Sequence, residues 1–143
     1  MRIYSLIDSQ TLMTKGFASE VMRSPEPPKR WDIAKKKGGV RTIYHPSSKV
    51  KLIQYWLMNN IFSKLPMHNA AYAFVKNRSI KSNALLHAES KNKYYVKIDL
   101  KDFFPSIKFS DFENAFTRYR DRIEFTTEYD KELLQLIKTI CFI

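Results

Sequence analysis

A carboxylate at the end of an apolar run is the side chain best placed to do chemistry in this sequence. The segment from Tyr94 to Ile107 reads YYVKIDLKDFFPSI, with Asp99 directly after a stretch rich in Tyr and Val. A buried charge at such a place is costly unless it has a partner. A hard cation such as Mg²⁺ would be one, because it prefers oxygen ligands and keeps positions open for phosphate. The alternative is that Asp99 only caps the turn after a strand, and the residues alone leave both open.

A basic, glycine-centred segment is the second candidate. Residues 33–46 read IAKKKGGVRTIYHP, and two β-prone runs, 31–35 and 40–45, flank Lys36-Lys37-Gly38-Gly39. This pattern predicts a hairpin. Its glycines allow a tight turn and a close approach of a ligand to the backbone. Arginine can bind phosphate oxygens with two parallel hydrogen bonds, and lysine adds a point charge. A solvated basic turn is the alternative.

Aromatic and basic residues alternate in the third candidate. Residues 71–80 read AYAFVKNRSI, a combination that suits single-stranded nucleic acid through stacking and phosphate contacts. Packing of Tyr72 and Phe74 in the core is an equal alternative. The three histidines lack a Cys or second His at metal-ligand spacing, so we interpret His45, His68 and His87 as structural.

The elements that must position these residues alternate helix and strand, which predicts an α+β fold. Apolar spacing and capping residues predict helices over 3–22 (in two pieces around Gly16), from a Ser47 or Ser48 cap to about 65, and over 80–89, 109–119 and 127–142. Residues 93–100 are predicted to form a strand, and 67–78 to be irregular. We expect Ala84, Leu85 and Ala88 to face inward, and Ser110 to cap its helix.

The charge distribution favours a polyanionic partner. The net charge is +11, and the stretch between Asp32 and Asp99 holds thirteen Lys or Arg against one acid, Glu89. Such a field suits nucleic acid, with a merely well-solvated surface as the alternative. The single cysteine, Cys141, excludes an internal disulfide and is expected to be a buried apolar residue. Without a signal peptide or a membrane-spanning apolar run, we expect a cytoplasmic protein with no membrane partner.

The segment around Asp99 resembles the first palm motif of reverse transcriptases in the retron and group II intron branch. In that family an aspartate precedes a Phe-Phe-Pro-Ser-Ile-type run. The resemblance implies that Asp99 binds two catalytic Mg²⁺ ions, with the backbone carbonyl of Leu100 as a further ligand. It also implies that Phe104 packs under the incoming sugar and selects deoxynucleotides. Core packing of Phe104 is the alternative. Asp102 has no assigned metal and is either a turn residue or a neighbour of the triphosphate.

The other two segments are similar to the fingers of the same enzymes. The resemblance implies that Lys35 and Arg41 bind the nucleotide triphosphate, with Lys36 or Lys37 replacing Lys35 if the register slips. It further implies that the segment before the palm binds the RNA template through Lys76 and Arg78. There Ala73-Phe74 stands where Gly-Phe is usual in the family.

The implied fold is a partial right-hand polymerase, with a helical segment over 1–30, fingers over 31–92 and the first part of the palm over 93–143. A complete enzyme also needs a Tyr-x-Asp-Asp turn, a Pro-Gln-Gly-type segment and a thumb, which are absent from these 143 residues. We therefore expect the chain alone to be inactive and the activity to belong to a longer protein, cut within a domain at the apolar end Cys141-Phe142-Ile143.

The resemblance implies an RNA-directed DNA polymerase that makes retron DNA (msDNA) from a structured noncoding RNA. Its partners would be that RNA, the DNA product, deoxynucleoside triphosphates and an accessory toxin protein, and its role would be phage defence. Two alternatives stay open: an RNA-binding module without catalysis, and a fragment of a group II intron-type or diversity-generating reverse transcriptase.

Overall fold

The computed structural model describes residues 2–36, 38–88, 94–125 and 127–142. These residues form a mixed α and β structure of seven α-helices and one antiparallel pair of strands, which confirms the predicted class. In chain order the elements are α1 (Ile3–Gln10), α2 (Phe17–Arg23), β1 (Lys29–Ala34), β2 (Val40–His45), α3 (Ser48–Asn60), α4 (Ile80–Ala88), α5 (Phe103–Ser106), α6 (Phe109–Arg118) and α7 (Asp130–Cys141).

The first two helices are separated at Gly16, as predicted. Gly16 has a φ of +94°, a backbone conformation that glycine adopts without the steric penalty of a Cβ. The buried carboxylate of Asp8 accepts hydrogen bonds from the N–H groups of Gly16 (2.6 Å) and Ala18 (2.7 Å). One side chain of α1 therefore satisfies two backbone donors at the start of α2, which would otherwise lack partners.

The predicted hairpin forms, and β1 begins two residues earlier than the sequence indicated. The register pairs Lys29 with His45 and Ala34 with Val40, and the turn closes through a 2.9 Å hydrogen bond from the Lys35 N–H to the Gly39 carbonyl. Gly38 and Gly39 both have positive φ, which explains why the turn needs glycines. Both faces of the hairpin are largely exposed.

Helix α3 crosses the core. The Ser47 hydroxyl accepts the Val50 N–H at 3.4 Å, which identifies Ser47 as the N-cap. The helix ends at Asn60 rather than near Leu65, and a single 3₁₀ turn over Phe62–Lys64 covers the difference before Pro66. The Gln54 amide donates to the Ile140 carbonyl at 3.0 Å, so α3 also caps the last turn of α7.

One continuous apolar core joins the first and last parts of the chain. It contains side chains of α1, α2, α3, α6 and α7 together with Ile61 and Ile123, which lie outside these helices. The side chains buried most completely are Ile3, Ile7, Ile53, Leu57, Ile61, Leu133, Leu136, Ile137 and Ile140. Arg120, after α6, fixes the approach to α7 because its Nε donates to both oxygens of Asp130 (2.8 and 2.7 Å).

The strand predicted over 93–100 does not form in residues 94–100, and Lys93 lies outside the described residues. All seven of these residues are exposed and none is in a strand. A strand needs a hydrogen-bonded neighbour. Within the described residues β1 and β2 pair only with each other. The expectation that Asp99 ends a buried strand is therefore wrong in this structure.

Two further predictions are wrong, one about the buried face of α4 and one about the cap of α6. Helix α4 forms through Ala88, with Glu89 outside the described residues, but it buries no residue, and Ala84, Leu85 and Ala88 are exposed. The periodicity of apolar residues indicates which face of a helix could be buried, but burial also requires another element that packs against that face. Ser110 lies inside α6, where the carboxylate of Asp111 instead accepts the N–H of Lys108 at 2.8 Å.

Candidate active site

Residues of the segment from Tyr94 to Ile107, called the Asp99 segment, line a cavity of about 550 Å³. It is lined by Asp99, Leu100, Asp102, Phe103, Phe104 and Pro105. The chain turns there because Asp102 has a φ of +53°, a left-handed conformation that Asp adopts more readily than most residues. The single helical turn α5 follows. This local geometry places the carboxylate, the aromatic ring and the intervening backbone around one open space.

The carboxylate of Asp99 is exposed to this space. It makes no hydrogen bond or ion pair within the described part of the chain, and it caps neither the turn nor α5. The turn is instead closed by the backbone, through a 3.0 Å hydrogen bond from the Ser106 N–H to the Asp102 carbonyl. The arrangement thus gives no support to a capping role and leaves the Asp99 oxygens available to a ligand.

The donor set of the cavity has the chemistry of a hard-cation site but not a complete one. Asp99 and Asp102 offer carboxylate oxygens, and Leu100 offers a backbone carbonyl, all oxygen ligands of the kind Mg²⁺ prefers. Among the residues described, no group of three or more Asp, Glu, His or Cys side chains could hold an ion. The oxygen donors of the cavity therefore match the chemistry of a divalent cation but are too few to surround one.

Phe104 lies on the surface rather than in the core. Its side chain is 68% exposed and borders the same cavity as Asp99. The Phe104 ring meets those of Phe103 and Phe74 edge-on, with centroid distances of 5.6 and 6.3 Å. Neither partner belongs to the hydrophobic core. The core-packing alternative therefore finds no support, and the ring is free to contact a ligand in the cavity.

Lys35 and Arg41 lie on the hairpin and do not line this cavity. Both are exposed, as is Lys36, whereas Lys37 lies outside the described residues. Arg41 is paired with Ile33 across the strands, so both side chains share one face of the hairpin. The hairpin therefore presents its cations to solvent, and no described contact joins them to Asp99.

The one carboxylate of the hairpin lies on its other face. Asp32 is paired with Thr42, whose hydroxyl donates to it at 2.7 Å, and its second oxygen lies 3.5 Å from Arg30. The Thr42 hydrogen bond lowers the pKa of Asp32, and Arg30 acts in the same direction. Successive residues of a strand point to alternate faces. Asp32 and Arg41 therefore lie on opposite faces, and Asp32 leaves the Arg41 guanidinium available.

The loop of residues 68–78 is organised by Arg78. The Nη1 of Arg78 donates to the carbonyls of His68 (3.3 Å), Asn69 (2.7 Å) and Ala71 (2.5 Å). Its guanidinium lies 5.2 Å from the centre of the Tyr72 ring. Lys76 is exposed. Neither Tyr72 nor Phe74 is part of the core, so the packing alternative for these rings is not observed.

The histidines make contacts within the protein. His45 Nε2 lies 2.8 Å from Lys51 Nζ, and His68 Nδ1 accepts the Ala70 N–H at 3.1 Å. The His87 carbonyl accepts the Tyr95 hydroxyl at 3.0 Å, which ties the end of α4 to the Asp99 segment. The His45 and His68 rings thus have partners within the protein, the His87 hydrogen bond is made by its backbone, and the structural interpretation of the three residues stays a prediction.

Two neighbours of the proposed site were left open or missed by sequence reasoning. Asp102, which the sequence left without a metal, lies in the turn and lines the same cavity as Asp99. The contact of Phe74 with Phe104 joins residues thirty positions apart, and nothing in the sequence pattern indicates it.

Comparison with known proteins places the chain in a family. The family model described as "Reverse transcriptase (RNA-dependent DNA polymerase)" matches residues 33–136, well over half of the chain. No solved structure gives a significant match. This family generally uses divalent metals.

Curated relatives agree with this match. The chain is 96% identical over 143 residues to the Retron Ec73 reverse transcriptase of Escherichia coli. This match covers 100% of the chain and 45% of the relative. It is 47% identical over 77 residues to the Retron Mx162 reverse transcriptase of Myxococcus xanthus, covering 54% of the chain and 16% of the relative. It is 30% identical over 140 residues to the Retron Ec83 reverse transcriptase of Escherichia coli, covering 95% of the chain and 42% of the relative. The chain thus spans less than half the length of these retron reverse transcriptases, and it belongs to the reverse transcriptase family.

Proposed function

We propose that this chain supplies the nucleotide-binding part and the first catalytic aspartate of an RNA-directed DNA polymerase. The observation that carries the proposal is the cavity in which Asp99, Leu100 and Phe104 meet, inside the segment that the reverse transcriptase family model matches. The three residues differ in chemistry. They correspond to the three needs of the reaction at this point, namely an anionic ligand, a neutral oxygen ligand and a surface for the sugar.

The reaction proposed is attack of a primer 3′-hydroxyl on the α-phosphate of a deoxynucleoside triphosphate. A new phosphorus–oxygen bond forms, and pyrophosphate leaves. Two Mg²⁺ ions, when bound, would supply polarisation of the phosphate oxygens. The residues that would hold them here are Asp99, through its carboxylate, and Leu100, through its carbonyl. The flat ring of Phe104 would exclude a 2′-hydroxyl and so favour deoxynucleotides.

The hairpin is proposed to bind the triphosphate. The guanidinium of Arg41 can form two parallel hydrogen bonds to phosphate, and Lys35 adds a point charge beside the turn. The position of Asp32 on the opposite face supports the assignment, because no carboxylate of the hairpin competes for Arg41. Lys36 is exposed at the same turn and is the alternative to Lys35.

RNA binding is proposed for the basic stretch between Asp32 and Asp99, with Lys76 and Arg78 as contacts to the template backbone. In the described residues the hydrogen bonds of Arg78 all start from Nη1, so Nε and Nη2 stay available for phosphate. Following the retron relatives, the template would be a structured noncoding RNA and the product msDNA. An accessory toxin and a role in phage defence are proposed from the resemblance alone. The division into a helical segment over 1–30, fingers over 31–92 and palm from 93 is proposed on the same ground.

The test uses the full-length Ec73 reverse transcriptase with this chain in place of the segment it matches, called the grafted enzyme below. We expect it to extend a primer on an RNA template with deoxynucleotides, to prefer them over ribonucleotides, and to stop when a chelator removes divalent cations. An RNA-binding module without catalysis would bind the same RNA and be indifferent to the chelator. RNA binding without any metal-dependent extension would contradict the proposal.

A further inference from the structure

One arginine closes the loop between α3 and α4. Within residues 68–78, the Nη1 of Arg78 reaches three backbone carbonyls of the segment from His68 to Ala71, at 2.5 to 3.3 Å. Its guanidinium also lies over the Tyr72 ring, at 5.2 Å from the centroid. A planar cation can make both contacts at once, because its donors lie in the plane and its face is free to stack.

Little else holds this loop in the part of the chain that the structure describes. It contains no helix or strand, and its own backbone hydrogen bonds run from Ala71 to His68 (2.9 Å) and from Arg78 to Val75 (3.1 Å). Phe74 and Asn77 both have left-handed φ values, +59° and +64°. Asn adopts this conformation more readily than most residues. For Phe74 it is disfavoured and persists only where surrounding contacts maintain it. Among the described side chains of the loop, His68 accepts one backbone hydrogen bond, from Ala70, whereas Arg78 reaches three carbonyls and the Tyr72 ring.

The loop ends up next to the candidate active site. Phe74 is 93% exposed, yet its ring stands edge-on to the ring of Phe104, at a centroid distance of 6.3 Å and an interplanar angle of 75°. Phe104 in turn borders the cavity that contains Asp99. An exposed phenylalanine in a left-handed conformation is disfavoured in two respects, so its place beside Phe104 depends on the loop being held closed.

We propose that Arg78 is a positioning residue for the incoming nucleotide: it fixes the loop of residues 68–78 so that Phe74 stands beside Phe104 at the edge of the cavity. The inference rests on the proposed function, because it takes that cavity as the nucleotide site. It differs from a direct contact of Arg78 with the template, because Arg78 acts through Phe74. Removal of Arg78 then affects nucleotide use rather than only RNA affinity.

A double-mutant cycle in the grafted enzyme tests the coupling. The nucleotide KM, kcat and RNA dissociation constant are measured for Arg78→Ala, Phe74→Ala, the double variant and, as a contrast, Lys76→Ala. We expect each single variant at positions 78 and 74 to raise the nucleotide KM by about tenfold, because each removes the edge contact that Phe74 offers beside Phe104. The double variant is expected to be no worse than either single one, while Lys76→Ala lowers mainly RNA affinity. The proposal would be overturned if the KM increases of Arg78→Ala and Phe74→Ala multiply in the double variant. It would also be overturned if Arg78→Ala lowers only RNA affinity.

Arg78→Lys distinguishes positioning from charge. Lysine keeps the positive charge that a phosphate contact requires, but it cannot stack on Tyr72 with a planar face. We expect this variant to retain RNA affinity while its nucleotide KM rises towards that of Arg78→Ala. A wild-type KM for Arg78→Lys would return the residue to a simple charge contact.

Hydrogen exchange of the backbone separates this inference from the proposed function. In the 143-residue chain, Arg78→Ala is expected to speed the exchange of the Ala71 and residue-78 amides, leaving α3 and α7 unchanged. Unaltered exchange at those amides would remove Arg78 as the residue that holds the loop, whatever the activity. If instead the loop opens but the unsubstituted grafted enzyme makes no DNA, the proposed function fails, and the nucleotide part of this inference fails with it.

Discussion

Arg41 and Asp32 lie on opposite faces of the hairpin, and this separation leaves Arg41 available for the proposed contact with a triphosphate. Arg30 shares the face of Asp32 and lies 3.5 Å from its carboxylate, whereas Arg41 is paired with Ile33. Arg30 therefore serves as a matched control for Arg41. Both are exposed arginines of the same hairpin, and removing either changes the net charge equally.

Arg41→Ala in the grafted enzyme is expected to raise the nucleotide KM by about 10- to 150-fold. The reason is the loss of a charged hydrogen-bond pair to phosphate, of about 1.5–3 kcal/mol. Steady-state kinetics with varied deoxynucleotide checks this, and Arg30→Ala should change the KM far less. Equal effects of the two substitutions would indicate a general charge effect and return Arg41 to a solvated turn.

Cys141 lies half-buried at the end of α7, where burial raises the pKa of its thiol to about 11. The reactive thiolate is therefore scarce at neutral pH. We expect slow alkylation by iodoacetamide in the folded chain at pH 8 and fast alkylation in urea. Since the folded-state pKa is above the ordinary value of 9.0, this thiol contributes stability below pH 9 that is lost as the pH rises towards 11. Equal alkylation rates in the folded and unfolded chain would contradict the burial.

At the scale of elements, the junction of α1 and α2 depends on a single carboxylate. Asp8 is 5% exposed and accepts two backbone hydrogen bonds, from Gly16 and Ala18. Asp8→Ala leaves both donors without their partner, and we expect it to lower the free energy of unfolding by about 1–3 kcal/mol. Urea unfolding of the chain measures this, with the neighbouring exposed Ser9→Ala as the control. A change below about 0.5 kcal/mol, the size usual for a surface substitution, would mean that Asp8 is not the cap.

Elements whose causes are local could be predicted from the sequence. The Gly38-Gly39 turn specifies the hairpin, and the Ser47 hydroxyl, followed by a helical apolar pattern, specifies the start of α3. Elements that depend on a distant partner could not. The pattern of α4 indicates an inward face, and that of 94–100 a strand, but the described residues supply neither a cover nor a neighbouring strand.

The candidate site also combines features that neighbouring residues determine with features that depend on distant residues. The roles proposed for Asp99, Leu100 and Phe104 come from the resemblance to a family motif, and the cavity brings these three residues together. The contact between Phe74 and Phe104, and the closing of the loop by Arg78, depend on how separate segments meet in space. Sequence spacing carries no information about such contacts.

At the scale of the whole molecule, the first and last parts of the chain share one core. Helices α1 and α2, α3, and α6 and α7 all contribute buried side chains to it. These helices come from all three segments into which the sequence was divided. None of the described basic residues of 29–36 and 76–81 belongs to this core, and all of them except the half-buried Arg78 are exposed. None of the described helices has the length and apolar character to cross a membrane.

The chain as a whole is expected to bind RNA in a salt-dependent way. Thirteen Lys or Arg against one acid between Asp32 and Asp99 create a one-sided field, and phosphate contacts release counterions when they form. We expect the affinity of the 143-residue chain for a structured RNA to fall about tenfold or more between roughly 50 and 200 mM salt. Fluorescence anisotropy titrations measure it. Affinity that is constant over this range would show that the basic stretch is only a solvated surface.

DNA synthesis by the Asp99→Asn variant of the grafted enzyme tests the central claim most directly. Asparagine has nearly the same size and would cap a turn comparably. It is a neutral and therefore poor ligand for a hard cation, so catalysis that depends on the bound ions should fall by orders of magnitude. Asp121→Asn, an equal change of charge at another exposed aspartate, is the control and should retain activity. We expect Asp99→Asn to abolish primer extension while melting temperature and RNA affinity stay at wild-type values. Near-wild-type synthesis by Asp99→Asn would remove Asp99 from the active site and contradict the account.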